Sequence, residues 1–140
     1  MKRQKQCNGS AAEVEAAFYD ALNRADLAAL MALWADDDDI VCIHPSGMRL
    51  IGHAAINASW ETILEHGGLA MTPVQLHQSH NLMSAIHTVI ESASTTGGQE
   101  AHLLATNVYL KTPRGWRMVL HHASLAPGSM PKESKTLVLH

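Results

Sequence analysis

The stretch AAINASWETILEHGGLAMTPVQLHQSH, residues 54–80, decides the fold class, because the character of the chain changes in its middle. Ala54 to Glu65 carries the apolar spacing of a helix, and Gly67-Gly68 stops it. Past Gly68, segments near 73–80, 82–95, 100–111 and 116–125 are rich in Val, Ile, Thr, Leu and His, the composition of strands. Asn81, Gly97-Gly98 and Pro113-Arg114-Gly115 punctuate them as hairpin connections, so a largely antiparallel sheet is expected.

Upstream of residue 54 the pattern is helical. Ser10-Ala11-Ala12-Glu13 reads as a capping box, and Val14, Ala17, Phe18, Ala21, Leu22 and Ala25 then recur at three- and four-residue spacing. Asp26 is placed to cap a second, apolar helix running through Trp34, which Asp36–Asp39 terminate. Ile40 to His44 reads as a short strand ending in a turn at Pro45 and Gly47, with a further turn at Gly52. Helices first and strands afterwards predict an α+β architecture, with residues 1–9 a polar leader, 10–126 the domain and 127–140 a tail.

Length and composition bound the function. At 140 residues and 46% hydrophobic the chain fits one domain with a real core. Ten Lys/Arg stand against thirteen Asp/Glu, a net charge of −3, which leaves no electrostatic footprint for nucleic acid. No apolar run approaches the roughly 20 residues a membrane-spanning helix needs, and the polar leader lacks the apolar core of a signal peptide. A cytoplasmic location without membrane contact is the expectation. Cys7 and Cys42 do not read as a disulfide framework.

The ten histidines invite a metal reading, but no pair is separated by two or four residues, the spacings that place two ligands on one strand or helix face. No metal or cofactor motif is present in the sequence; convergence of His44, His87 and His122 in space is the arrangement that spacing leaves open. Asp36–Asp39 lack the alternation and distal Glu of a calcium loop and read as a solvated turn.

Three stretches together carry a resemblance. Ala21-Leu22-Asn23-Arg24-Ala25-Asp26-Leu27 precedes Leu33-Trp34-Ala35-Asp36-Asp37. Val41-Cys42-Ile43-His44-Pro45 runs through Gly52 to Ala54-Ala55-Ile56 and Trp60. Ala105-Thr106-Asn107-Val108-Tyr109 is followed by Gly115 to Ser124. Over about residues 10–126 the chain resembles the SnoaL-like branch of the nuclear transport factor 2-like superfamily. The resemblance is closest to bacterial proteins likened to the association domain of calcium/calmodulin-dependent protein kinase II. It implies a cystatin-like cone: three N-terminal helices packed on a curved, mainly antiparallel sheet, with a pocket between them. It also implies dimers or rings, here a homodimer through the outer sheet face.

Activity does not follow from such a fold, since isomerases, cyclases, dehydratases and assembly modules share it. Ketosteroid isomerase, a distant relative, uses an Asp base with an oxyanion hole of Tyr and protonated Asp. Matched by resemblance, Phe18 takes the place of that tyrosine, with Tyr19 about 100° round the helix. His44, before Pro45, replaces the base, and Asn107 replaces the protonated acid. Steroid isomerisation by that mechanism is therefore not expected. A polar pocket end is expected instead, with His44 as proton acceptor and Asn107 as polarising donor. Each also has a structural reading, His44 as a turn histidine and Asn107 as a strand amide. Alternation puts Ala105, Asn107 and Tyr109 on one face, and His122 with Trp116 and Met118 on the face expected to point inward unless a bulge intervenes. Phe18, Tyr19, Trp34, Trp60, Tyr109 and His122 are the expected ligand-binding residues, the aromatic ones serving equally as core. Two functions remain open at this point: binding of a small apolar or aromatic molecule with acid–base activity, or a homo-oligomeric association module.

Overall fold

The computed structural model describes residues 9–94 and 100–126, so the expectations for the leader, the Gly97-Gly98 turn and the tail lie outside the described residues. The element order is α1 (Ala11–Arg24), α2 (Leu27–Met31), β1 (Val41–Ile43), β2 (Arg49–Ile51), α3 (His53–Leu64), β3 (Met71–His80), β4 (Ser84–Ser94), β5 (Glu100–Thr112) and β6 (Gly115–Leu125). Helices pack on one mixed six-stranded sheet in the order β2-β1-β6-β5-β4-β3. β1 lies parallel to β6, and every other pairing is antiparallel. The expected α+β fold is the one found.

Local chemistry fixes the helix ends. Ser10 Oγ accepts from the Glu13 amide at 3.1 Å, and Asp26 Oδ1 accepts from the Ala29 amide at 3.0 Å, each satisfying a first-turn donor. Helix α2 is shorter than its apolar run predicts. Beyond Met31 the chain tightens into a turn, Leu33 N–H donating to Leu30 O and Trp34 N–H to Met31 O. Trp34 then makes a parallel bridge to Met118, with Ala35 N–H donating to Met118 O at 2.9 Å. A sheet partner has outbid the helical pattern. The strand β2, also unforeseen, forms because the turn after His44 folds Arg49–Ile51 back onto β1.

The core lies between the helices and the inner sheet face. Val14, Phe18 and Leu22 of α1 and Ile56, Trp60 and Leu64 of α3 meet Cys42, Ala85, Val89, Tyr109 and Met118 from the sheet. The end of α1 is clamped to the start of β3: Asn23 Nδ2 donates to Met71 O at 2.8 Å, and Asn23 Oδ1 accepts from Met71 N–H at 2.7 Å. Gly68 makes the clamp possible, since a Cβ there would stand 1.9 Å from the Asn23 carbonyl oxygen. Gly68→Ala forces α1 and β3 apart and is expected to cost about 1–3 kcal/mol, the usual range for overpacking. A urea midpoint equal to the wild type would remove this close approach from the account.

Candidate functional site

Helix α1 presents Ala11, Glu15, Phe18 and Leu22 at intervals of four, three and four residues, so a carboxylate sits on its core-facing stripe. The inner face of β4 carries Ala85, His87, Val89 and Glu91, and that of β5 carries Ala105, Asn107 and Tyr109. On β6 the alternation breaks. Val108 pairs with Leu120 but Tyr109 pairs with Met118, leaving Val119 as a bulge. Past the bulge His121 and Ala123 point inward and His122 is exposed, reversing the expected facing of His122.

These facings assemble a polar network inside the apolar core. Glu15 (3% exposed), His87 (1%), Glu91 (1%), Asn107 (0%) and His121 (2%) are buried together with Tyr19 and Tyr109. Glu15 Oε2 accepts from Tyr109 Oη at 2.6 Å and from Asn107 Nδ2 at 3.1 Å, and Gln75 donates to Glu15 Oε1. His87 Nδ1 lies 3.1 Å from Glu15 Oε2, close to the carboxylate but off the line of a directed hydrogen bond. Tyr19 Oη donates to Glu91 Oε2 at 2.6 Å and accepts from Asn107 Nδ2 at 3.0 Å. His121 Nδ1 donates to Asn107 Oδ1 at 2.6 Å, which leaves its Nε2 as the acceptor, 3.9 Å from Glu91 Oε2.

The two carboxyl groups have been given different surroundings. Burial pushes Glu15 upward, but the close His87 imidazole and the hydrogen bonds from Tyr109, Asn107 and Gln75 outweigh it and hold Glu15 below its ordinary value. Burial raises Glu91 to about 7; the Tyr19 hydrogen bond opposes this and the charge on Glu15 adds to it. Burial lowers His121 to about 3, with further lowering from His44 and His122. Both tyrosines are raised, chiefly by burial.

The expected site residues distribute as follows. Asn107 is the central donor, and Tyr19 and Tyr109 place their hydroxyls in the network. Phe18 is buried beside it, 5.0 Å from the His121 ring and 6.0 Å from Trp60 between ring centroids. Trp34 is core, held at its bridge to Met118. His44 is half-buried at the other side of Trp60, 4.9 Å from that ring, while His121 is 5.9 Å from it. His44 Nε2 meets Ser59 Oγ at 3.0 Å; because Ser59 donates to Ile56 O, the imidazole is the donor and its Nδ1 remains an acceptor. No hydrogen bond joins His44 to Asn107 among the described residues: His121 occupies the Asn107 carbonyl. With His122 facing out, His44, His87 and His122 do not converge, and the described residues hold no group of three or more metal-ligating side chains. Sequence reading missed Glu15, His87, Glu91 and His121 as members of this network, having weighed His87 only as a metal ligand. The first three did carry a signal, a polar side chain in register with an apolar face.

A cleft of about 260 Å³ opens at the start of α1, lined by Gly9 to Ala12, Gln78, His80, Ala85, His87 and Trp116. His87 thus belongs to both the cleft and the network.

Helices seated on a curved mixed sheet, with titratable groups gathered between the layers, define the class of cone-fold α+β domains. The chain belongs to the SnoaL-like domain family, whose model matches residues 12–128. Among solved structures it is similar to a protein from Thiobacillus denitrificans provisionally named a calcium/calmodulin-dependent protein kinase type II association domain. That match has 34% identity and a TM-score of 0.80 over 87% of this chain and 99% of the other. A protein from Streptomyces avermitilis, provisionally named a dehydratase of the NTF2-like family, matches at 26% identity and TM-score 0.71 over 84% of this chain and 94% of the other. A ketosteroid isomerase-like protein from Erwinia carotovora shares the fold, with 18% identity and TM-score 0.72 over 84% and 94%. No curated protein matches the chain. No described helix is long and apolar enough to cross a membrane.

The opposed shifts predict a pH signature. Between about 4.5 and 7 the native protein keeps a proton on Glu91 that the unfolded chain has lost, so this group lowers stability as pH rises. His121 acts in reverse from about 3 to the ordinary histidine value of 6.5, where the native state lacks a proton the unfolded chain holds. Each slope is about 1.4 kcal/mol per pH unit, so the two nearly cancel in the overlap. Glu91→Gln removes the falling limb, and its stability is expected to climb with pH across pH 5–6.5 (roughly the overlap window) while the wild type stays closer to level. Parallel pH profiles for the two proteins, measured by denaturant unfolding, would overturn the assignment.

Proposed function

We propose that the protein binds a small, largely apolar molecule in the cleft at the start of α1 and acts on it by acid–base chemistry. The observation that carries this reading is that the cleft meets the buried two-carboxylate network at one residue, His87. A concave site with few convergent polar groups and strongly perturbed acids is the usual form of a small-molecule site. Environments that push paired carboxyl groups apart separate a charged stabiliser from a proton-exchanging acid. Glu15 takes the first role, Glu91 the second, and Asn107 is the polarising donor between them. The proton-accepting role expected of His44 passes to His87, which lines the cleft and lies 3.1 Å from the Glu15 carboxylate, whereas His44 meets Ser59. The dehydratase name of the Streptomyces avermitilis relative supports a reaction of this general type.

Thermal-shift screening against small carbonyl compounds, steroids and aromatic acids tests the reading. A binding compound is expected to raise Tm by mass action, about 2.7 kcal/mol of stabilisation at a hundredfold excess over Kd. Ala12 is an exposed helix position at the cleft mouth, so Ala12→Leu fills the cleft with little effect on the unliganded fold. The stabilisation is expected to vanish in that variant, and its persistence would place binding elsewhere.

A second reading rests on the outer sheet face and is compatible with the first. Val41, Ile43, Val108 and Leu120 are half-buried there, and Ile86 and Leu110 are exposed, an apolar surface suited to a second copy of the chain. We propose a homodimer through this face, as the name of the Thiobacillus denitrificans relative also suggests. Light scattering is expected to give twice the 15.2 kDa chain mass for the wild type and the single mass for Leu110→Glu. A wild-type monomer at micromolar concentration would end this reading and the association-module function with it.

A further inference from the structure

The class of molecule suited to the cleft follows from which polar groups reach it; the argument rests on the cleft being the binding site. His87 Nδ1 lies 3.1 Å from the Glu15 carboxylate, whose charge favours an N–H over a lone pair on that nitrogen and so leaves Nε2 as the acceptor. A ligand meeting a neutral His87 must therefore bring a proton. Gly9, Ala11, Ala12, Ala85 and the Trp116 ring supply the apolar part of the lining beside the polar Ser10, Gln78 and His80, so the space of about 260 Å³ suits one flat ring system. The charge around it limits the anions it would hold. Glu13 sits in the first turn, its carboxylate packed 3.1 Å from where a Cβ on Gly9 would stand, and Glu15 lies behind His87. Two carboxylates disfavour phosphate or any ligand arriving with a full negative charge. The Ala11 and Ala12 amides, by contrast, have no intrahelical acceptor and suit an oxygen that gains charge after binding.

We infer that the cleft takes a planar molecule carrying a weakly acidic hydroxyl group, a phenol or an enol, and holds it as the oxyanion with its proton on His87. The step balances: the ligand O–H bond breaks, an N–H bond forms at His87 Nε2, and the electron pair stays on the ligand oxygen. The resulting imidazolium is neutralised by Glu15, which remains ionised. The charged and titratable groups facing His87 are Glu15 from α1, Tyr109 from β5 with its ring centroid 5.1 Å away, and His80 from β3 across the cleft. Asn107 and Gln78 flank His87 in register on either side and do not titrate. Of these, Glu15 alone carries a negative charge at neutral pH, so proton transfer to His87 completes an ion pair.

Three ring compounds of similar size, para-nitrophenol, para-nitroanisole and nitrobenzene, test this on the full chain by equilibrium dialysis and by absorbance titration of the bound phenol. The hydroxyl compound is expected to bind about tenfold tighter than the two that lack a proton. Its phenolate absorbance is expected to develop about one pH unit lower when bound than when free. His87→Gln is expected to abolish both the preference and the shift while leaving the weaker ring binding. Because the ligand series needs no variant, a misfolded His87→Gln would not spare the inference. Equal binding of all three compounds, or a preference that survives in His87→Gln, overturns the hydroxyl-acid class and leaves the small-molecule reading standing. Failure of para-nitrophenol to bind also overturns it, and the thermal-shift screen then decides the broader reading separately.

Discussion

Two carboxyl groups inside one small core are the constraint on which the rest of the structure depends. Burying one unpaired carboxylate costs several kcal/mol, and a second beside it adds repulsion. The protein meets this by concentrating donors on Glu15, from Tyr109 and Asn107 on β5 and Gln75 on β3, and by keeping the proton on Glu91. Those donors come from strands far apart in sequence, so they converge only if α1 is seated at a fixed depth on the sheet. The Ser10 cap at one end of α1 and the Asn23–Met71 clamp at the other set that depth. Features that look like routine helix chemistry therefore determine whether a charge can live in the interior.

Asn107 stands between the two acids. Its amide nitrogen serves Glu15 and the Tyr19 hydroxyl, and its carbonyl is held by His121. An amide does not titrate, so it joins the carboxyl groups without passing a proton between them. A carboxylic acid at the same position would blur the distinction between a charged Glu15 and a protonated Glu91. The bulge at Val119 belongs to this arrangement, because without it β6 would offer His122 to Asn107 and turn His121 outward. Parallel pairing with β1 places Cys42 opposite His121, and burial there holds the Cys42 thiol up at about 12, well away from nucleophilic use.

Much of the fold was legible because its signals are local. Ser10, Asp26 and Gly67-Gly68 mark helix ends by the hydrogen bonds and backbone angles they permit, and residue alternation locates β3 to β6 to within a few positions. The failures have non-local causes: α2 gives up its last turn to a bridge with Met118, and β2 exists only because β1 is there to pair with it. Within the site, Asn107 was legible from alternation alone. Glu15 lies on the helical period of α1, and His87 and Glu91 on the alternation of β4, but a polar residue on an apolar face reads as a solvated one until its partners are known. His121 was beyond reach, since a bulge at Val119 leaves no mark in the sequence and changes the facing of every residue after it.

The network has two ends with different surroundings. Glu15 faces His87 and the cleft, while Glu91 faces His121 and, past Trp60, the half-buried His44. At the cleft end an imidazole is paired with a carboxylate that stays charged; at the other, burial keeps His121 neutral and Glu91 protonated near neutrality. The cleft adjoins the first end, where His87 stands against a carboxylate held in its charged form. The fold is shared with relatives named for different activities, so the backbone does not choose among them. That choice lies with the few interior positions where this chain has set a carboxylate, an amide or an imidazole on a face that the fold requires only to be buried.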